Sequence, residues 1–278
     1  ANAAVNECDV LFLVGARVGD RAVKTPLALE KTTKIIHIDI DPAEIGKNIG
    51  ADLPLVGDAK LVLQQMTELA KPMKHDEWIA HIKTLGGERK YVEPAKGTVN
   101  PRVFIDRLAK KMPANVTVVA DVGQNQIWTC TEYKFRKEGR LLTSGGMGTM
   151  GYSVPAAIGA KMADNSRATV AICGDGAFQM SFMELATAVQ FGVDIKVVVM
   201  TNNRLGMVRE LQTNGYHDRQ TAVFLDGSPD FIKLAEAYGI PAMRVYDDDT
   251  MDKGIEMLAE HKGICLVEVV VDKDMPTL

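Results

Sequence analysis

The sequence lacks several features that mark particular classes of protein. Its four cysteines are scattered over 278 residues without a CxxC spacing, and its five histidines show no paired ligand spacing. A disulfide framework and a zinc site are therefore not expected. Cys8, Cys173 and Cys265 lie in or beside apolar segments, so we interpret them as buried free thiols of a protein in a reducing cytoplasm.

Long hydrophobic runs are also missing. The longest, such as residues 10–15 and 264–271, have the length of a strand, whereas a membrane span takes roughly 20 residues. The first residues have neither the basic head nor the long apolar core of a signal peptide. Lysine and arginine form no basic stripe and the formal net charge is −4, so we expect neither a membrane nor a nucleic acid as a partner.

Strand-like and helix-like segments alternate along most of the chain, whose composition (46% apolar, 24% charged) is that of a globular protein. This order predicts an α/β fold with a doubly wound, mostly parallel sheet over residues 99–278. Residues 1–70 carry a few short strands and one or two helices, and we interpret them as part of a smaller α/β domain. Residues 71–98 predict a linker with one short helix near 77–84, anchored by Trp78.

Residues 168–207 predict a βαβ unit around which the larger domain is organised. Two apolar strands, 168–173 and 195–200, flank a helix, and a tight turn is expected at residues 174–176. A strand–helix–strand crossover of this length makes the two strands parallel and is right-handed in nearly all known cases.

Several helix boundaries have their own signals. Ser181 and Glu184 have the spacing of a capping box and predict the start of the crossover helix, whereas Gly192 predicts its end. Asn100 followed by proline predicts another helix start, with residues 103–112 as its body. Residues 212–228 are polar and predict a loop.

Two polar residues follow the strands of the βαβ unit. Asp175 and Asn202 come just after the first and second strand, and the carboxyl ends of parallel strands share one sheet edge, where ligands of such sheets bind. A carboxylate and an amide oxygen beside a glycine turn suit a divalent cation that carries a diphosphate. The alternative is an ordinary βα turn with a polar rim.

A glycine-rich loop offers a second hypothesis. Gly146, Gly148 and Gly151 match the GxGxxG fingerprint of nicotinamide dinucleotide sites. The strand before them is short, and no acidic residue closes the following strand at the expected distance. A close backbone approach to another flat ligand is the favoured interpretation.

Four motifs then occur in the order and spacing of one family. They are Asp121-Val122-Gly123-Gln124, the TSGGMGTMG segment at 143–151, Gly174-Asp175-Gly176 with Asn202 lying 27 positions after the aspartate, and Leu205-Gly206-Met207-Val208. With these motifs the sequence resembles the large subunits of acetolactate synthase (acetohydroxyacid synthase), which are thiamine diphosphate enzymes. The resemblance covers nearly the whole chain.

The resemblance implies a set of site residues. The side chains of Asp175 and Asn202 and the backbone carbonyl of Arg204 would hold Mg²⁺; Asn202 is assigned rather than Asn203 because it alone fits the family spacing from both sides. Met207, under the bend of the cofactor, and Gln124 are the implied catalytic residues, although Met207 could also be an ordinary core methionine. The implied cofactor-binding residues are Val122, Gly123, Gln124 and Asn125 along the diphosphate, Gly148 and Met150 at the aminopyrimidine ring, Gly176 and Ala177 at the phosphates, and Leu205, Gly206, Met207 and Val208.

The resemblance also implies an activity and partners. A transferase of this family decarboxylates pyruvate and joins the two-carbon unit to a second 2-keto acid in branched-chain amino acid biosynthesis. Another thiamine diphosphate-dependent decarboxylase or carboligase, or a non-catalytic cofactor-binding module, stay open as alternatives. Besides 2-keto acids, the expected partners are further copies of the chain, in a homodimer or homotetramer, and a regulatory small subunit.

The sequence departs from the family pattern in two ways, and each departure predicts a property of the protein. The family's activating glutamate lies on a domain without a counterpart in this sequence, so we expect a C-terminal fragment that, alone, binds the cofactor weakly or not at all and is inactive. Leu211 stands where biosynthetic members carry tryptophan, which predicts a weaker preference for 2-ketobutyrate, worth about 1–3 kcal/mol at most. FAD is a further candidate cofactor, because the first 70 residues resemble half of an FAD-binding central domain, through residues 15–17, Arg21, 39–40 and 57–59.

Overall fold

The computed structural model describes residues 2–19, 29–85 and 91–277. It has two compact units, Ala1–Arg89 and Lys90–Leu278. The short helix that was expected in the linker is present and belongs to the first unit. Arg21 and residues 86–90 of the expected linker lie outside the described residues.

The first unit is built on a three-stranded parallel sheet in the order β1-β2-β3. Its core contains Leu13 and Ile35, which lie on neighbouring strands. The carboxylate of Asp58 accepts a hydrogen bond from the Leu61 backbone N–H at 3.1 Å, as expected of a helix cap. Trp78 is half-buried and its ring lies 5.6 Å from that of His81. The elements are α1 (Asn2–Glu7), β1 (Val10–Val14), β2 (Lys34–Asp39), β3 (Leu53–Val56), α2 (Ala59–Leu69) and α3 (Asp76–Thr84).

The second unit alternates strands and helices throughout. Its elements are α4 (Pro101–Lys111), β4 (Thr117–Ala120), α5 (Gln124–Glu132), β5 (Arg140–Thr143), α6 (Ser153–Ala163), β6 (Thr169–Gly174), α7 (Asp175–Gln179), a 3₁₀ turn (Phe182–Glu184), α8 (Leu185–Gln190), β7 (Lys196–Thr201), α9 (Gly206–Gly215), α10 (Phe231–Ala237), β8 (Ala242–Val245), α11 (Asp248–Glu260) and β9 (Cys265–Val270).

The six strands of this unit form one sheet in the order β5-β4-β6-β7-β9-β8, with every pairing parallel. Successive side chains of β6 enter opposite cores: Val170 and Ile172 face one buried cluster, and Ala171 and Cys173 face the other. A parallel sheet covered on both faces needs apolar residues at every strand position, which explains the unbroken apolar runs. The predicted doubly wound α/β fold is confirmed.

The start of α4 follows its sequence signal. The side-chain oxygen of Asn100 accepts hydrogen bonds from the backbone N–H groups of Arg102 and Val103, and the helix begins at Pro101. Gly192 is also confirmed at the end of α8. It has φ +61°, and the Val193 N–H reaches the Ala188 carbonyl at 2.9 Å, as in a Schellman motif.

Two predictions for the crossover were wrong. Residues 174–176 do not form a tight turn, because Gly174 ends β6 and Asp175 already begins α7. Ser181 and Glu184 do not form a capping box either: Glu184 accepts a hydrogen bond from the Thr187 hydroxyl, and the Ser181 hydroxyl is buried without a partner. Ser181 has φ −144° and ψ 7°, outside the extended conformation that lets a cap side chain reach the following N–H groups.

The polar segment at 212–228 was only partly a loop. Its first four residues complete α9, which begins at Gly206. Its other end pairs with the turn after β7, through a bridge between Arg204 and Phe224 and a 2.9 Å hydrogen bond from Leu205 N–H to the Val223 carbonyl.

Candidate functional site

Three helices begin at one edge of the large sheet. Helices α5, α7 and α9 follow β4, β6 and β7, which are neighbours in the sheet. The residues before these helices are Gly123, Gly174 and Leu205, and none of them caps its helix through a side chain. Since the first N–H groups of a helix have no partner inside it, their partial positive charge is directed at the edge.

A cleft opens where these three helices begin. Every residue predicted for the site lines it except Gly148. The cleft also includes Trp128 and Met200, which the sequence did not indicate, and Gly174, which belongs to a motif but was given no role in binding. Gly174 and Met200 lie at the carboxyl ends of β6 and β7, and Trp128 lies one turn after Gln124 on α5. Their positions in the predicted strands and helix could therefore have indicated that they line the cleft.

Asp175 is buried at this edge and is held by backbone groups. One carboxylate oxygen accepts the N–H of Asn203 at 2.6 Å and that of Asn202 at 3.2 Å, and the other accepts the N–H of Gly176 at 2.8 Å. Burial raises the pKa of Asp175 to about 6, although the three N–H groups oppose this shift. The two residues expected to meet from adjacent strands are therefore in direct contact.

The two neighbouring asparagines differ in position. Asn202 lines the cleft; its Oδ1 accepts the Arg204 N–H at 3.1 Å and its Nδ2 donates to Oε1 of Gln124 at 3.1 Å. Asn203 is exposed and has φ +54°, a left-handed conformation that asparagine tolerates better than most residues.

Arg204 stabilises the turn in which these two asparagines lie. Its guanidinium donates to the Asn203 carbonyl at 2.6 Å and pairs with Asp226 at 2.8 Å. The same group lies 4.7 Å from the centre of the Phe224 ring, a cation–π distance. These contacts fix the backbone between β7 and α9.

Gln124 and Asn125 open α5 and are both buried. Asn125 donates to the carbonyls of Asp121 and Ile172, at 2.9 and 3.2 Å. Gln124 donates to the Met275 carbonyl at 2.9 Å and to the Thr277 hydroxyl at 3.2 Å. The last described residues of the chain therefore contact the wall of the cleft.

Asp121 connects the glycine-rich loop to the end of β4. Its carboxylate is fully buried and accepts the N–H groups of Val122, Gly151 and Ser153 at 2.8, 3.0 and 2.7 Å. This contact brings Met150 to the cleft, whereas Gly148 is exposed, with φ +64°.

The family of the chain follows from two matches to family models. Residues 121–269 match the model described as thiamine pyrophosphate enzyme, C-terminal TPP binding domain, and residues 1–66 match the central domain of the same enzymes. The chain belongs to the thiamine pyrophosphate enzymes. Thiamine pyrophosphate is another name for thiamine diphosphate.

Among thiamine pyrophosphate enzymes, the chain is similar to acetolactate synthases. It is 36% identical over 275 residues to the acetolactate synthase large subunit of Lactococcus lactis, covering 98% of this chain and 48% of the relative. It is 38% identical over 283 residues to a probable acetolactate synthase large subunit of Methanocaldococcus jannaschii, with the same coverage of 98% and 48%. It is 34% identical over 275 residues to acetolactate synthase isozyme 2 large subunit of Escherichia coli, covering 98% and 50%. The chain spans about half the length of these curated relatives.

The cleft fits the diphosphate of the family's cofactor. The starts of α5 and α9 present backbone N–H groups to it, and helix N-termini bind phosphates. The TPP-binding match spans the loop with Gly146, Gly148 and Gly151, which removes the basis for the nicotinamide hypothesis.

The donor set at the cleft also fits a hard divalent cation. Asp175 and Asn202 offer a carboxylate and an amide oxygen, and oxygen donors are the ligands that Mg²⁺ prefers. Within residues 2–19, 29–85 and 91–277, no group of three or more His, Cys, Asp or Glu side chains could hold a metal ion. A cation here would thus rely on backbone and phosphate oxygens as well, as Mg²⁺ does in many phosphate sites.

No helix in the described part of the chain has the length and apolar character needed to cross a membrane.

Proposed function

We propose that this chain is part of an acetolactate synthase that decarboxylates pyruvate on thiamine diphosphate and transfers the two-carbon unit to a second 2-keto acid. The observation that carries the proposal is the single cleft that joins Asp175, Asn202 and three helix N-termini, in a chain 34–38% identical to relatives of that name. The product would enter branched-chain amino acid biosynthesis in the cytoplasm.

Each proposed role uses a position in the cleft. Asp175, Asn202 and the Arg204 carbonyl hold Mg²⁺. The diphosphate would lie along the starts of α5 and α9, with Gly176 and Ala177 of α7 beside it, and Met150 would contact the aminopyrimidine ring, with Gly148 beside it on the same loop. Bound thiamine diphosphate supplies the electron sink for decarboxylation, while the protein binds and orients it.

Met207 supports the bent form of the cofactor in this proposal. It is half-buried, lines the cleft at the second residue of α9, and belongs to neither buried cluster of the large sheet. This position favours the wedge role over that of an ordinary core methionine. Leu205, Gly206 and Val208 shape the wall around it.

Cofactor binding can be followed at Trp128, which lies in the cleft wall. In a chain with Trp78→Phe, Trp128 is the remaining tryptophan, since the sequence has two. We expect thiamine diphosphate to change its fluorescence in the presence of Mg²⁺ and to lose this effect with a chelator. Absence of such a change at millimolar cofactor, both in the chain alone and in the chain produced together with the remaining part of such an enzyme, would contradict the proposal.

Turnover is expected to need residues outside this sequence, because the chain spans about half the length of its relatives. We expect no acetolactate from pyruvate and the chain alone, and formation of acetolactate when the chain is produced together with the remaining part of such an enzyme. Binding of the cofactor without any product in the complemented enzyme would favour the non-catalytic module. Product from another 2-keto acid would favour a different carboligase.

The proposal includes further partners. The complete enzyme forms a homodimer or homotetramer, and relatives named large subunits make a regulatory small subunit a candidate partner. FAD is proposed to bind the first unit, where the Gly15 N–H reaches the Ile38 carbonyl at 2.8 Å and the Asp39 carboxylate accepts the Asp41 N–H at 2.9 Å. Flavin absorbance in the purified complete enzyme tests this assignment.

A further inference from the structure

A chain of hydrogen bonds runs from α9 to the cleft through the C-terminal segment, residues 275–277. Glu210 on α9 accepts the Thr277 N–H at 2.7 Å and also accepts the Thr277 hydroxyl. The Thr277 hydroxyl in turn accepts Nε2 of Gln124 at 3.2 Å. Gln124 then accepts Nδ2 of Asn202 at 3.1 Å through its Oε1.

Glu210 begins this series of hydrogen bonds and fixes the direction of each bond that follows. A carboxylate such as that of Glu210 accepts hydrogen bonds and does not donate them, so the Thr277 hydroxyl must donate its proton to Glu210. The hydroxyl oxygen then has only a lone pair with which to accept the N–H of Gln124. The Met275 carbonyl, 2.9 Å from the same Nε2, is also only an acceptor. Gln124 therefore turns its nitrogen to residues 275–277 and its oxygen to Asn202.

The same logic fixes the amide of Asn202. Because Oε1 of Gln124 requires a donor, Asn202 turns its nitrogen to Gln124 and its oxygen away from it. That oxygen faces the Arg204 N–H and is the atom that a cation in the cleft would take. In the opposite orientation the amide would present a donor to the cation.

Packing prevents Gln124 from leaving this position. Its side chain is 4% exposed, and Oε1 occupies the space in which a side chain at Gly206 would begin. Trp128, one turn along α5, donates to the Pro276 carbonyl at 3.2 Å and holds the same segment against the helix.

We propose that Gln124, Thr277 and Glu210 are positioning residues that orient the Asn202 amide so that its oxygen faces Mg²⁺. This inference rests on the proposed metal role of Asn202. It assigns to residues 275–277 a part in metal binding, although Thr277 does not line the cleft. Partners that orient metal ligands typically contribute 10–100-fold to metal affinity.

The test measures Mg²⁺ affinity by calorimetry in the full chain with thiamine diphosphate present, corrected for Mg²⁺ binding to free cofactor. Thr277→Val keeps the shape of the side chain but removes the hydroxyl, and is expected to weaken Mg²⁺ binding about tenfold. Thr277→Ser should restore it. Thr213→Val removes another hydroxyl bond of α9, to Asp218, and should leave Mg²⁺ binding unchanged.

A second background separates orientation from general loosening. Asn202→Asp offers an oxygen whichever way its side chain is turned, so Mg²⁺ affinity no longer depends on the orientation of an amide and Thr277→Val should weaken binding less in that background than in the unaltered chain. An equal loss in both backgrounds, or unchanged affinity in Thr277→Val alone, would overturn the inference. Absence of Mg²⁺-dependent binding in both the unaltered chain and the complemented enzyme would instead reject the proposed function, and the inference with it.

Discussion

A Cβ atom on Gly206 would lie 1.9 Å from Oε1 of Gln124. The first residues of α9 and α5 are thus in direct contact, and the contact leaves no room for any side chain at position 206. Because Gln124 also accepts a hydrogen bond from Asn202, a side chain at position 206 would displace a residue that holds Asn202 in the cleft.

Gly206→Ala should therefore affect both stability and binding. The added methyl must displace Gln124, and such overpacking costs about 1–3 kcal/mol in the free energy of unfolding. We expect more than a tenfold loss of Mg²⁺-dependent thiamine diphosphate affinity, about 1.4 kcal/mol or more. Gly215→Ala, at the other end of α9 with nothing within 4 Å of the new methyl, is the control and should change neither quantity for the worse. Equal behaviour of the two variants would contradict this account.

Asp121→Asn should loosen the glycine-rich loop. The substitution removes a charged acceptor that holds three backbone N–H groups, and bonds to charged groups contribute about 1.5–3 kcal/mol each. We expect a loss of at least about 2 kcal/mol in urea unfolding. Faster hydrogen exchange should appear at the amides of Gly151 and Ser153. Asp252→Asn, whose exposed ion pair with Arg107 should contribute under about 1 kcal/mol, serves as the control.

Asp175→Asn should abolish the Mg²⁺ dependence of cofactor binding while the chain still folds. The amide keeps one acceptor oxygen for the N–H groups around it but has no charge to offer a cation. Titration of thiamine diphosphate with and without Mg²⁺, monitored at Trp128, measures this effect. A variant that retains the Mg²⁺ dependence would show that Asp175 is not a metal ligand.

The chain should lose stability above about pH 9 through its buried thiols. Burial raises the pKa of Cys265 to about 11, although nearby Lys196 acts in the opposite direction, and burial also raises the pKa of Cys173. Because the folded pKa lies above the unfolded one, the contribution of Cys265 is fully present below pH 9 and disappears as the pH rises to 11. It amounts to about 3 kcal/mol at most.

Urea unfolding at a series of pH values from about 7 to about 10.5 measures this loss of stability, because the thiol of an unfolded chain ionises within that range. In Cys265→Ala the free energy of unfolding should decrease less steeply as the pH rises in the alkaline range. Cys130 lies exposed on α5, so Cys130→Ala should have a smaller effect on this dependence. A steeper slope in Cys265→Ala than in the unaltered chain would refute the assignment.

Leu211→Trp should alter the choice of second substrate in the complete enzyme. Leu211 lies on α9 one turn after Met207 and is 53% exposed, so a larger ring could extend toward the mouth of the cleft. We expect a shift toward the 2-ketobutyrate product by about 1–3 kcal/mol at most. The ratio of the two products under competition is the measurement. Leu211→Met, similar in volume, should leave the ratio unchanged.

The sequence predicted the strands of the large sheet and the meeting of Asp175 with Asn202. Both follow from apolar runs that a doubly covered parallel sheet requires, and from the rule that strand ends share an edge. Helices with capping side chains, such as those after Asn100 and Asp58, were also predictable, because their signal is local.

The helices at the cleft were harder to predict for a physical reason. Those that begin at Gln124, Asp175 and Gly206 have no capping side chain, since their first N–H groups face the cleft. Helix α9 also begins and ends with glycine, so its propensity is low and contacts from distant residues must hold it. The hydrogen bonds from Gln124 to Met275 and Thr277 join residues about 150 positions apart, and no local pattern reveals them.

The strand order has a consequence for how the chain is made. Strand β9 follows both β7 and β8 in the sequence yet lies between them in the sheet, so it is made after the two strands that it joins. Until residues 265–270 leave the ribosome, β7 and β8 each have an unpaired edge that β9 later covers, and unpaired strand edges are sites of aggregation. Residues 275–277, which hold Gln124, emerge later still. A chain that ended before residue 265 would contain every described helix, but it would lack the strand that joins β7 to β8 and the contacts that hold Gln124 at the cleft.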